Sequence, residues 1–272
     1  MAQHVDSTTD SERAVRSLIA TGAGAAGVAT GGVLGFLVGG PVGAAAGGAT
    51  GALLQDGMKG AAGQIAERLS AQSERERVGA CLILAYELIA QRLNNGEELR
   101  KPGFFQRRER KSQQNLRSEA EELLEGTFLA ARDAYEERKV ELLAKFYANS
   151  VFSDGLDASH LNHLLSIAKS LTYRQLLILG IIGSGDLGQV RTTDFRGGGD
   201  LRTDTIGVLY EIYQMVGLDL ITSANSSYML GVADVNPSLL RLQGNGAHLF
   251  NLLRLADTPA EDKQFFNRAL IS

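Results

Sequence analysis

The sequence has no tryptophan, one cysteine and four prolines in 272 residues. A single thiol, Cys81, excludes an internal disulfide framework and fits a reducing compartment. Aromatic residues make up only 6% of the chain, although hydrophobic residues as a whole reach 44%. A core can be buried, but it must be built largely from small and aliphatic side chains. Neither sign of charge prevails: 27 basic side chains stand against 31 acidic ones, a formal net charge of −4. That balance excludes a surface built as a whole to coat nucleic acid, and no nucleic-acid partner is expected. The opening residues, MAQHVDSTTDSER, carry acids before any apolar run. A secretory signal has the opposite order, so retention inside the cell is expected.

Charge is missing most completely from one stretch. Between Arg16 and Asp56 lie 39 uncharged residues, Ser17 to Gln55. Within them glycine recurs at every fourth position, at Gly27, Gly31, Gly35, Gly39, Gly43, Gly47 and Gly51. Residues four apart lie on nearly the same helix face, so the row strips one face of every Cβ. In water such a helix is penalised, at about 1 kcal/mol per glycine against alanine. In lipid the backbone must bond internally anyway, and small residues are what let helices pack. Gly40 and Pro41 interrupt the run, because proline starts a helix but does not continue one. Two arms follow, Ser17–Gly39 and Pro41–Met58. A helical hairpin is the simplest arrangement and a kinked single helix is the rival. The 23 residues of the first arm span about 34 Å, enough to cross hydrocarbon.

This segment resembles the glycine-zipper families of bacterial membrane proteins, over about Thr21 to Leu54. There, GxxxGxxxG arms form a two-helix membrane hairpin. The resemblance implies self-association and packing in lipid through the seven glycines. The stretch departs from the pattern in being rich in alanine, with few large apolar residues such as Leu34, Phe36 and Leu37. Unaided insertion is therefore weak, and conditional insertion or burial inside an oligomer is expected. The matching location is the cytoplasm, with conditional or peripheral association with the inner membrane. A close-packed hairpin inside a soluble particle is the competing arrangement.

The middle of the chain reads as helical. Val78, Cys81, Leu82, Ala85, Leu88 and Ile89 recur at three and four, and Asn94-Asn95-Gly96 ends the run. Cys81 lies on that stripe as a small hydrophobe rather than a nucleophile. Next, six basic residues in positions 100–111 flank two phenylalanines: Arg100, Lys101, Phe104, Phe105, Arg107, Arg108, Arg110 and Lys111. One role for this connector is contact with anionic headgroups, the rings dipping in. The other is a solvated link whose phenylalanines pack on a neighbouring element. From Ser118 to about Phe152 the spacing predicts one long helix, with Leu124, Phe128, Ala131, Tyr135, Leu142 and Phe146 on its core face.

The last part, residues 153–272, reads as helices with a small β element. Asp157 and Thr172 stand where helices begin. Leu201 to Val216 reads as a helix, and Leu218–Thr222, Tyr228–Val232 and Leu239–Leu242 as short strands. Helices follow over Gly246–Leu255 and Pro259–Ile271. Helix, helix, strand, strand, helix resembles a winged-helix order. The residues carrying it are Leu171-Thr-Tyr-Arg-Gln-Leu, Leu209-Tyr210 through Ile221, and Leu242 through Phe250. A winged helix that reads DNA puts cations on its second helix. Here Asp200, Arg202, Asp204 and Glu211 leave it net negative, which favours a protein partner. Glu141-Leu-Leu-Ala-Lys-Phe-Tyr-Ala-Asn149 followed by this tail also resembles the abortive-infection alpha group of bacterial phage-defence proteins, over about residues 135–256. That resemblance implies a defence effector acting on the cell's own membrane, and it supplies no catalytic residue.

Two patterns point weakly to small ligands. Gly183-Ser-Gly185-Asp-Leu-Gly188 matches GxGxxG, but no helix with a buried face follows it, so no dinucleotide cofactor is expected. His160 and His163 stand near Asp154 and Asp157 without a further strong ligand, so no metal is expected. No nucleophile–base set, phosphate loop or acidic pair stands out, and the chain is read as a non-enzyme. The expected fold is mostly α. It comprises a polar tail (1–16), a glycine-zipper helical hairpin (17–58), a helical middle (59–152) and a winged-helix-like C-terminal α+β module (153–272). The expected partners are further copies of the chain, membrane lipid, and a protein bound through the C-terminal module.

Overall fold

The computed structural model of the chain describes residues 49–270, except positions 67, 111–112, 186, 189, 198–200 and 225–230. Glycines 27 to 47 of the zipper, its break at Gly40-Pro41 and the 1–16 tail lie outside the described residues. What is described is mostly helical and falls into two compact units that divide between Lys169 and Ser170. The helix at 158–170 thus belongs to the first unit, not to the C-terminal module that the sequence starts at 153.

The first unit is built from helices. These are α1 (Ala49–Ala66), α2 (Gln72–Asn94), α3 (Glu119–Arg132), α4 (Arg138–Ser150) and α5 (Ala158–Ser170). Helix α1 continues past Met58, where the second zipper arm was expected to end, and stops only at Ala66. Helix α2 ends at Asn94, with Asn95 capping and Gly96 left-handed at φ 82°. Its buried stripe, including Cys81, Ala85, Tyr86 and Ile89, packs chiefly on α4 and α3.

The long helix expected over 118–152 is two helices. Ser118 caps α3 with a reciprocal box: its hydroxyl accepts from the Glu121 amide at 3.2 Å, while Glu121 Oε2 accepts from the Ser118 amide at 2.8 Å. The chain then breaks over 133–137, and α4 packs back on α3. No glycine or proline marks the break. It exists because Phe128 and Ala131 on one side, and Val140 and Phe146 on the other, are all at 0% exposure in one core. A straight helix would carry these two faces apart. Tyr135, expected on the core face, sits in the turn at full exposure.

Between α2 and α3 the basic connector forms a turn at Pro102–Phe104 and then a two-stranded antiparallel hairpin. Its strands are β1 (Arg108–Arg110) and β2 (Gln113–Leu116).

The second unit comprises α6 (Tyr173–Ser184), α7 (Thr203–Gly217), β3 (Ile221–Ser223), β4 (Leu240–Leu242), α8 (Gly244–Leu252) and α9 (Ala260–Leu270). Thr172 caps α6, its hydroxyl accepting from the Gln175 amide at 3.1 Å. Every residue from Gln175 to Ile182 is buried, so α6 is the central helix of the unit. Strands β3 and β4 pair antiparallel, Ile221 with Leu242 and Ser223 with Leu240. The strand expected at Tyr228–Val232 is not found where it is described: Val232 opens a 3-10 turn, Val232–Asp234. Helix α8 meets β3 so closely that a Cβ on Gly246 would fall 2.0 Å from the Leu220 carbonyl oxygen.

Among the described residues no single helix is long and apolar enough to cross a membrane.

Candidate functional site

The described end of the zipper segment is α1, and several ion pairs surround it. Leu54, Met58, Ala61, Ala62 and Ile65 recur at helical spacing and are buried against α3. Gly51, the seventh glycine of the row, is buried as well. Further along, Gly57 and Gly60 extend the small-residue character of the helix. A Cβ on Gly57 would lie 3.2 Å from Glu121 Cγ, and one on Gly60 would lie 3.4 Å from an Arg107 guanidinium nitrogen. The missing side chains leave a trough in which a charged pair can lie.

That pair is Arg107–Glu121. Glu121 is only 5% exposed, and Arg107 grips its carboxylate through Nη2 at 2.5 Å and Nε at 3.0 Å. Burial by itself raises the Glu121 carboxyl. The Arg107 hydrogen bonds and the Ser118 amide outweigh burial and hold it below its ordinary value. The hydrogen bond to Glu121 raises Arg107 in turn. One turn on, Glu125 pairs with Arg68 at 2.7 Å and with Arg117, whose Nη2 also donates to Gln64 Oε1 at 2.7 Å. Arg108 pairs with Glu119. Glu121 and Glu125 on one face of α3, and Glu119 at its start, thus bind guanidinium groups from just past α1, from the connector and from the hairpin and its exit. Chemically the arrangement is a clamp. Each charge has a partner, and there is no activated nucleophile or free base within it.

The connector residues expected to touch lipid divide. Phe104 and Phe105 are 4% and 3% exposed and pack edge to face at 5.2 Å. Arg100 is 8% exposed; its guanidinium lies 4.0 Å from the Phe104 ring centroid, and it donates to the Leu156 carbonyl at 2.8 Å. Desolvation lowers this arginine's pKa despite nearby Asp154. Its longer contact with the Ser150 carbonyl, 3.5 Å, places a cation at the C-terminus of α4. These three residues are therefore core, and the phenylalanines pack within the protein, the second of the two roles the connector offered. Lys101 is exposed, while Arg107 and Arg108 are half-exposed and engaged with α3. The Arg110 side chain and Lys111 lie outside the described residues.

The other chemical patterns have structural explanations. In the GxGxxG stretch, a Cβ on Gly183 would meet the Phe250 ring at 2.4 Å. Gly185 ends α6 in the left-handed conformation, φ 69°. Packing and capping thus account for two of the three glycines without a phosphate. Asp157 Oδ1 accepts from the His160 amide at 2.7 Å, so Asp157 serves the start of α5. Among the described residues no three metal-ligating side chains converge. Cys81 is fully buried, which pushes its thiol up to about 12 and leaves it unreactive.

The sequence carried a signal for the clamp: Ser118-x-x-Glu121 is the spacing of a capping box. It did not indicate that Glu121 would also receive Arg107, because that residue arrives from beyond a hairpin. Comparison with known families, curated proteins and solved structures finds no match for this chain.

Proposed function

We propose that this protein is a membrane-acting, self-associating bacterial effector of a defence or cell-death system, assembled through its glycine-zipper segment. The observation that carries the proposal is the seven-glycine period within an uncharged stretch, whose last member enters a helix held by the body of the protein. A helix made of glycine and alanine is costly in water and marginal in lipid. Such a segment suits a protein held in one state and released into another. The α1–α3 contact supports this reading, because it ties the end of the zipper to a helical body through a narrow apolar stripe flanked by ion pairs.

The test is expression in bacteria with a dye that reports membrane potential. Wild-type chain should collapse the potential and fractionate with membranes once triggered. Gly35→Leu/Gly39→Leu should abolish both effects, because the large side chains hold helices apart. If depolarisation and membrane association both survive that double change, the proposal is wrong.

A second reading has an observation of its own. The order α6, α7, β3, β4, α8, with β3 and β4 paired as a small wing, supports a winged-helix-like module in a soluble scaffold or regulator. The exposed side of α7 carries Ile206 and Tyr210 rather than a row of cations, so its partner would be protein. A chain that stays in the supernatant without detergent, with or without a trigger, would favour this reading.

A further inference from the structure

The chain contains two Asn-Gly steps, Asn95-Gly96 and Asn245-Gly246, and the fold treats them differently. Asparagine is a chemically labile residue, most of all before glycine, where no Cβ shields the amide nitrogen that can attack its side chain. Asn95-Gly96 closes α2, and both residues are exposed. The Asn95 carboxamide has no partner among the described residues, and a Cβ on Gly96 would stand in open space. A helix cap holds the pair. Gly96, left-handed at φ 82°, donates its amide to the Leu93 carbonyl at 3.0 Å, and the Glu97 amide donates to the Arg92 carbonyl at 3.1 Å. Exposed bonds at a helix terminus are the ones that open at least cost. Asn245-Gly246 instead opens α8. Gly246 is buried, donates its amide to the Gln243 carbonyl at 2.7 Å, and sits so close to Leu220 that a Cβ would fall 2.0 Å from that carbonyl oxygen. Its backbone has no room to swing its nitrogen onto the Asn245 side chain.

The end of α2 is also where that helix is joined to α4. Arg92 donates through Nη1 to Asn149 Oδ1 at 2.7 Å and through Nε to Glu97 Oε2 at 2.9 Å, and its guanidinium lies 4.1 Å from the Phe152 ring centroid. A carboxylate at position 95 would stand three residues from Arg92 and offer it a second anionic acceptor, in competition with Asn149. It would add a like charge beside Glu97 and Glu98, and it would meet the negative end of the helix dipole. An isoaspartate would lengthen the backbone by one carbon within the cap and break both of its hydrogen bonds.

We propose that Asn95-Gly96 is a site of spontaneous deamidation, and that its conversion loosens the join between α2 and α4. When the cap opens, hydroxide takes the Gly96 amide proton and the nitrogen attacks Asn95 Cγ. The bond from Cγ to the side-chain nitrogen breaks, ammonia leaves with a proton from water, and a five-membered succinimide closes. A water molecule then opens the ring at either carbonyl and leaves aspartate or isoaspartate. Nothing is oxidised or reduced, and solvent supplies every reactant besides the chain. The inference stands apart from the zipper and does not need a membrane.

The test ages the purified full chain in warm, mildly alkaline buffer and follows the mass gain of deamidation by peptide mapping. In the folded chain Asn95 should convert several-fold faster than Asn245, at a rate that rises with hydroxide. In the chain unfolded by denaturant the two sites should convert at similar rates, because the fold no longer separates them. The consequence is read with Asn95→Asp, which carries the product's charge, against Asn95→Ser, which removes the carboxamide and adds none. Hydrogen exchange in the last turn of α2 and around Asn149–Phe152 should be several-fold faster in Asn95→Asp. Folded Asn95 converting no faster than folded Asn245, the same difference persisting in the unfolded chain, or equal exchange in the two variants would each overturn the proposal.

Discussion

Helices α1 and α6 are both apolar and of ordinary length, yet they are held in opposite ways. Helix α6 is Tyr-Arg-Gln-Leu-Leu-Ile-Leu-Gly-Ile-Ile-Gly-Ser, and its large aliphatic side chains are buried on every side. Helix α1 is Ala-Thr-Gly-Ala-Leu-Leu-Gln-Asp-Gly-Met-Lys-Gly-Ala-Ala-Gly-Gln-Ile-Ala, buried on one face, with small residues under a charged pair on another. Burial stabilises in proportion to the apolar area removed from water, at about 25 cal/mol per Å². Glycine and alanine supply little of that area. A helix like α6 is fixed by what it is made of, whereas a helix like α1 depends on what grips it. The contrast teaches that a helix with few large buried side chains, here Leu54, Met58 and Ile65, leans more on the charged pair beside it, and it can be broken or sharpened by substitution.

The largest effect is expected in α6. Ile178→Ala removes a fully buried side chain from the centre of the second unit and should cost about 2–5 kcal/mol, read by chemical denaturation. The first unit should keep its own transition in the same experiment.

Next comes the clamp. Glu121→Ala leaves the Arg107 guanidinium and the Ser118 amide without their acceptor and should cost about 1–3 kcal/mol. Hydrogen exchange should show protection lost first in α1 and in the turn before α3. If α1 stays as protected as the core of α2, the clamp does not hold it.

The same carboxylate sets a pH dependence. Its folded pKa lies below the unfolded value of about 4.3, so its stabilisation is present above that value and is lost as pH falls through the folded one. Acidification below about pH 4 should loosen α1, and Glu121→Gln should flatten that response. Exchange rates measured across this window in both proteins decide it.

The smallest effect separates two glycines of one helix. Nothing lies within 4 Å of a Cβ on Gly63, so Gly63→Ala should stabilise the first unit by up to about 1 kcal/mol through helix propensity. Gly57→Ala gains the same propensity but presses on the Glu121 stem, held in place by Arg107. Its net effect should be clearly smaller, or destabilising. Equal gains at both sites would mean that the trough does not matter.

Much of the fold was legible along the chain. The stripe Val78 to Ile89, the stop at Asn94-Asn95-Gly96, the Thr172 cap and the strand near Leu239–Leu242 are written in residues within a turn or two of one another. The break at 133–137 was not legible, because good helix formers fill it and only the packing of α4 back on α3 demands it. Nor was the hairpin, whose strands interrupt a basic run. The clamp was half legible: Ser118 and Glu121 lie three apart, while Arg107 reaches Glu121 from beyond the hairpin.

By itself the sequence determined the charge-free stretch, the period of its glycines and the positions of most helices, because spacing and propensity act locally. Tertiary structure alone decided that Phe104, Phe105 and Arg100 are core rather than surface, and that Glu121 lies over Gly57. In each case the deciding partner comes from a segment distant in the chain. A side chain's burial is set by those partners and not by its own chemistry, and a phenylalanine flanked by arginines reads the same whether it meets lipid or the end of a helix.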